Sequence, residues 1–144
     1  MNTVGRILKT KGSTVWTISQ DALVSEALKL FVEKRISSVI AMEGDKVAGI
    51  FTERDLAHKV GLYGKDPTKI KIEEVMTREL ITVNPSQSVN VCMNLMTENR
   101  IRHLPVFKGG ELVGIVSIGD VLKDMIEELE FMIKQLEGYI KGLR

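Results

Sequence analysis

The sequence has little of what staples, ligates or spans. A single cysteine, Cys92, excludes an intramolecular disulfide framework and any multi-cysteine metal cluster. Two histidines, His58 and His103, leave little material for zinc, and no metal site is expected. Charge of one sign is also missing: 20 Lys and Arg balance 19 Asp and Glu to a net +1. Such a chain has no bulk field to hold it on nucleic acid. Apolar runs are short, as at Val39-Ile40-Ala41-Met42, so none can cross a bilayer. The opening stretch MNTVGRILKTKG lacks the apolar core of a secretory signal, and the expected setting is the cytoplasm. Phosphate-loop, dinucleotide, zinc-protease and nucleophile-elbow motifs are all absent, as is a visible pairing of nucleophile and base. A catalytic role is disfavoured. What is present is ordinary globular material, 44% hydrophobic and 27% charged, in enough length for a good core.

The chain repeats itself. Shifted by 65 residues, 17–58 lies over 82–123 without a gap. Ten positions are identical: Thr17/Thr82, Val24/Val89, Leu30/Leu95, Glu33/Glu98, Arg35/Arg100, Ile36/Ile101, Gly44/Gly109, Gly49/Gly114, Ile50/Ile115 and Asp55/Asp120. Chance would give about two or three from average residue usage.

Each copy reads as β-α-β-β-α. Extended pieces at Val15–Ile18 and Leu80–Val83 precede helices with apolar faces at Val24, Ala27, Leu28, Phe31 and at Val89, Cys92, Met93, Met96. Hairpins follow, turning at Glu43-Gly44-Asp45 and Lys108-Gly109-Gly110. A second helix starts at Thr52 and at Ser117. The spacing therefore predicts an α/β (α+β) chain of two units, each needing cover for its sheet. Its segments are an N-terminal piece (1–13), repeat 1 (14–60), a polar linker (61–77) with a helical turn at Glu73–Met76, repeat 2 (78–124) and a helical extension (125–144). The extension carries Leu122, Met125, Ile126, Leu129, Met132, Ile133, Leu136 and Ile140 as an apolar stripe that needs a partner. Val4, Ile7 and Leu8 could cover part of it, or a second chain could. Cys92, Met93, Met96, Met125 and Met132 read as packing, and His58 as a surface residue.

Both copies place a hydroxyl at the hairpin's end with an acid three residues on: Thr52-Glu53-Arg54-Asp55 and Ser117-Ile118-Gly119-Asp120. One reading is a helix cap, with the acid in the first turn. The other is a nucleotide site, in which the helix N-terminus takes phosphate and the acid takes ribose hydroxyls. Repetition fits both. Arg102-His103 at a strand entry suits a phosphate, against the alternative of a solvated strand edge. Copy one has Ser37-Ser38 there, with Arg54 as its nearest cation, so two unequal sites are expected.

The stretches Val24-Ser25-Glu26-Ala27-Leu28, Gly49-Ile50-Phe51-Thr52-Glu53-Arg54-Asp55-Leu56, Arg102-His103-Leu104-Pro105-Val106 and Gly114-Ile115-Val116-Ser117-Ile118-Gly119-Asp120 resemble cystathionine-β-synthase (CBS) domains. Two in tandem make a Bateman module, and the chain resembles stand-alone two-CBS proteins of bacteria over residues 3 to 124. The resemblance implies repeats packed with pseudo-two-fold symmetry and adenosyl ligands in two clefts between the sheets. In site A, Asp120 would hold the ribose, Ser117 and Gly119 the phosphate turn, and Arg102 with His103 the phosphate. Thr14, Val15, Trp16 and Ile36 would hold the adenine, with Ile115 closing the pocket. Site B would use Ser38, Ile50, Thr52, Arg54 and Asp55 with Leu80, Ile81 and Ile101. The resemblance implies a regulatory adenine-nucleotide sensor in signal transduction, without catalytic cofactor, with AMP the leading ligand and NAD(H), ADP, ATP or S-adenosylmethionine admitted. It further implies a homodimer through the module and the C-terminal helix, a regulated protein that leaves no trace in the chain, and neither nucleic acid nor membrane as partner. The alternative class is an interaction module without a ligand, working through the stripe beyond residue 124.

Overall fold

The computed structural model describes residues 2–142. The first residue of the N-terminal segment and the last two of the C-terminal extension lie outside the described residues. The chain divides into two compact units. Residues 14–80 form one; the segment through Ser13, together with the chain from Ile81 onward, forms the other.

In the 14–80 unit, β1 (Thr17–Ser19) pairs in parallel with β2 (Ser38–Glu43), which forms an antiparallel hairpin with β3 (Lys46–Thr52). Helix α2 (Val24–Lys34) buries Val24, Ala27 and Phe31 against this sheet. The Phe31 and Phe51 rings stack at 5.9 Å between centroids. Gly44 turns the hairpin with φ at 60°, a conformation that suits a residue without Cβ. The helix expected from Thr52 is a short α3 (Glu53–Asp55) that widens at once into a π-helical segment, Leu56–Gly61. Residues 61–77 do more than connect. Helix α4 (Ile72–Val75) sinks Ile72 and Val75 into the core of this unit.

The other unit contains α5 (Val89–Asn99), the hairpin of β4 (His103–Lys108) and β5 (Glu111–Ser117), and a long α6 (Ile118–Gly142). Val89, Cys92, Met96, Leu104, Val106, Val116 and Val121 make its core. The N-terminal segment is α1 (Val4–Lys11), which contributes Val4 and Ile7 to that core. A buried chain ties α1 to α6: Asn2 Nδ2 donates to Asp124 at 2.8 Å, and Arg6 donates to Asn2 Oδ1 at 2.6 Å.

The expected strand at Leu80–Val83 shrinks to a single bridge between Val83 and Val106. Pro105 explains it. In the other copy Ile40 N–H donates to the Trp16 carbonyl at 3.0 Å, and position 105 is the repeat equivalent of 40. Proline has no N–H to make that bond. A second correction concerns Met132, expected in packing, which is half exposed.

The repeat is longer than the gapless shift reveals. Val4 N–H donates to Gln87 O and Gly5 N–H to Pro85 O; likewise Ile72 N–H donates to Ala22 O and Glu73 N–H to Gln20 O. The segment before each copy thus has the same role, but at an offset of 68 rather than 65, so residues 2–8 correspond to 70–76. Each segment docks on the other copy's unit: 70–76 on the first, 2–8 on the second. Glycine records the closeness. A Cβ on Gly49 would meet Thr77 O at 2.6 Å, and one on its equivalent, Gly114, would meet Leu8 Cδ2 at 2.7 Å.

Candidate functional site

Hairpin register builds the two candidate sites. Ser38 pairs with Thr52 in one unit, and His103 pairs with Ser117 in the other. Each β-strand then runs directly into a helix, so the last strand residue becomes the N-cap. Asp55 N–H donates to Thr52 Oγ1 at 3.3 Å, and Asp120 N–H donates to Ser117 Oγ at 3.2 Å. The acids reciprocate, accepting from the Thr52 and Ser117 N–H groups at 3.0 and 2.8 Å. Both copies are therefore capping boxes closed by aspartate.

Beyond the cap the two acids differ. Asp55 is buried, and both of its oxygens are engaged inside its own unit. Oδ2 takes the Thr52 amide and hydroxyl, while Oδ1 takes the Thr77 hydroxyl at 2.9 Å and the Lys59 ammonium at 2.9 Å. That is the environment of a structural carboxylate. Of the other residues expected with it, Ser38 and Ile50 are buried, Thr52, Leu80, Ile81 and Ile101 are half-buried, and Arg54 is exposed on α3. Leu80 lies in the 14–80 unit; Ile81 and Ile101 pack on the core of the other.

Asp120 is half-buried and meets a cation that the sequence reading missed. Lys11, at the end of α1, places its ammonium 2.6 Å from Asp120 Oδ2 and donates to the Ile115 carbonyl at 2.8 Å. Nothing in the gapless repeat signalled it, because residue 11 precedes the aligned stretch. Burial pushes the Asp120 carboxyl up, but the Lys11 ammonium and the Ser117 donors outweigh it and hold the group below its ordinary value. His103 adjoins the cluster and is pushed down to about 4, first by burial and then by Lys11, with Arg102 adding to the effect and Asp120 opposing it. It is a neutral imidazole at pH 7, so the fixed positive charges here are Lys11 and the exposed Arg102. Gly119 is exposed in the first turn of α6, and a Cβ there would meet Ser117 Oγ at an ordinary 3.6 Å. Its lack of a side chain is not demanded by space.

Of the expected adenine contacts, Thr14, Val15, Trp16 and Ile36 all belong to the 14–80 unit. Trp16 is 39% exposed, and the Lys34 ammonium sits 4.7 Å from its ring centre, covering one indole face.

The His103 shift has a thermodynamic consequence. Its folded value of about 4 lies below the ordinary 6.5, so between those limits the unfolded chain binds more protons than the folded one. Stability is then full above about pH 6.5 and falls as pH drops toward 4. His103→Gln should lose less stability than the wild type between pH 7 and pH 5, as read from urea midpoints at each pH.

A family model for the CBS domain matches the chain twice, at residues 5–61 and 72–127. The chain belongs to the CBS-domain family. It is a tandem CBS pair, a module of generally regulatory type, and the family matches include the α1 and α4 segments that complete the two units. A CBS-domain protein from Burkholderia ambifaria is similar at 46% identity, with a TM-score of 0.86 over 88% of this chain and 95% of that one. A mitochondrial CBS domain-containing protein of Arabidopsis thaliana is 36% identical over 97% of this chain and 72% of its own length. The CBS domain pair of protein MJ0100, solved with 5′-methylthioadenosine and S-adenosyl-L-methionine, is 26% identical, with a TM-score of 0.76 over 89% of this chain and 98% of that one. Hexameric CBS-CP12 protein from cyanobacteria is also similar, at 34% identity and a TM-score of 0.74 over 85% of this chain and 70% of that one. Among the described residues, no helix is long and apolar enough to cross a membrane.

Proposed function

We propose that this CBS pair is a regulatory sensor of a phosphorylated adenosyl ligand, AMP foremost, without catalytic activity of its own. The reading rests on one observation: Lys11, Arg102 and the neutral His103 gather around Asp120 and Ser117 at the start of α6. A ribose would bond to the Asp120 carboxylate, displacing Lys11, whose ammonium then turns to the phosphate. Arg102 adds charge, and the first amides of α6 add donors. His103 is a neutral donor that a bound dianion would draw toward protonation.

Two cations against one carboxylate favour a ligand with a phosphate over the uncharged or cationic adenosyl compounds held by the MJ0100 pair. NAD(H), ADP and ATP share that phosphate chemistry. The Asp55 end offers no uncommitted carboxylate oxygen for a ribose, so the Asp120 end is the proposed binding half. The bound ligand would shift the balance of conformations that a regulated protein reads, in a homodimer joined through the module and the C-terminal helix.

Isothermal titration of AMP into wild type and Asp120→Ala tests the site. Affinity should fall at least tenfold in the variant, and equal affinities would remove Asp120 from it. Lys11→Met should weaken AMP while leaving 5′-methylthioadenosine binding unchanged or stronger. A loss of both ligands alike would overturn the role given to charge.

A further inference from the structure

Helix α6 buries one face at its root and leaves a different face bare. Val121 and Asp124 are buried against the unit, yet Leu122 and Ile126 beside them are 45% and 52% exposed. At about 100° per residue, Leu122 and Ile126 stand roughly 100° and 140° around the helix from Val121. The bare face is therefore no continuation of the core, and from Leu129 to Gly142 every described residue is exposed. A helix of this kind, with Gly138 at about 1 kcal/mol below alanine in propensity, is not stabilised by itself in water.

The bare face has a strict register. Isoleucine recurs every seven residues, at Ile126, Ile133 and Ile140, and leucine recurs every seven at Leu122, Leu129 and Leu136. These are the a and d positions of a heptad. β-Branched residues at a with leucine at d favour two parallel strands. The flanks agree. Position e holds Lys123, Glu130 and Glu137, and position g holds Met125, Met132 and Tyr139. In a parallel pair, g of one copy meets e of the other, so no like charges meet. An antiparallel pair matched end to end would set Glu130 against itself but Lys123 against Glu137 twice, so the parallel direction rests on the residues at a and d.

We propose that α6 from Leu122 to Gly142 forms a parallel two-stranded coiled coil with the same segment of a second copy. The seam is three heptads, about 31 Å long. It deepens the homodimer reading given above by assigning the helix its partner, orientation and register, and it is independent of the ligand.

Sedimentation equilibrium and oxidative cross-linking of the full chain test it. Wild type should run as a dimer. Leu136→Cys should cross-link to itself under mild oxidation, because parallel in-register strands set the two d positions side by side. Wild type supplies the background, since Cys92 is buried with its thiol pushed up to about 11 by burial. Ile133→Asp, on an exposed position, should keep its fold by circular dichroism and weaken the dimer at least a hundredfold. In the double variant Ile133→Asp/Leu136→Cys, the cross-link should vanish. A monomeric wild type would overturn both the coiled coil and the homodimer reading. A dimer unweakened by Ile133→Asp, or no Leu136→Cys cross-link, would overturn the coiled coil alone.

Discussion

Gly49→Ala should lower stability by about 3 kcal/mol, whereas Gly114→Ala, the same change at the equivalent position, should cost about 1 kcal/mol. The difference lies in what the new methyl meets. At Gly49 it would reach Thr77 O at 2.6 Å, with the Met76 sulfur at 3.0 Å. That carbonyl cannot retreat cheaply, because Thr77 exchanges two backbone hydrogen bonds with Ile50, at 2.9 and 2.8 Å. At Gly114 the obstacle is the end of the Leu8 side chain, at 2.7 and 2.9 Å, which can change rotamer. Urea denaturation of both variants measures the contrast. Equal losses would show that the Thr77 backbone yields as readily as a leucine side chain.

Asp55→Ala should destabilise by a comparable amount, about 3 kcal/mol, through loss of polar partners rather than overpacking. The buried carboxylate satisfies the Thr52 amide and the Thr52 and Thr77 hydroxyls, which are half-buried, and the more exposed Lys59 ammonium. Removing it opens the α3 capping box and takes from the Thr77 hydroxyl its acceptor at 2.9 Å. Asp120→Ala removes a half-exposed pair with Lys11 and should cost under about 1 kcal/mol. Two acids in one repeat position thus divide into a structural and a proposed ligand-binding role, and comparing the melting temperatures of Asp55→Ala and Asp120→Ala separates them. Because Gly49 and Asp55 both act on Thr77, the double variant Gly49→Ala/Asp55→Ala should lose less than the sum of the singles.

Periodicity and the internal repeat made the sheets, the helices and the caps legible, because those depend on local pattern. Ten identities at one offset sufficed to align the copies. What the pattern hid depends on contacts distant in the chain. Lys11 reaches Asp120 across 109 residues, and Thr77 reaches Asp55 across 22. Neither side chain lies within the gapless alignment, so nothing in it distinguished the two acids. The bridge at Val83 failed to become a strand for a reason that was readable, since Pro105 stands where a donor is needed. The pairing that brings Val83 beside Val106 was not. The α6 stripe was legible as apolar; its orientation away from the core required knowing that Val121, and not Leu122, faces inward.

The exchange of leading segments between the two units sets an order of events during synthesis. Residues 14–80 contain everything their own unit requires and are complete once α4 and Thr77 have left the ribosome. Helix α1 emerges before the 14–80 unit, yet its seat is built from Val83, Leu104, Val116 and Val121, which follow that unit. Its apolar face therefore waits through more than a hundred residues of translation, open to chaperones and to mispairing in the newborn chain.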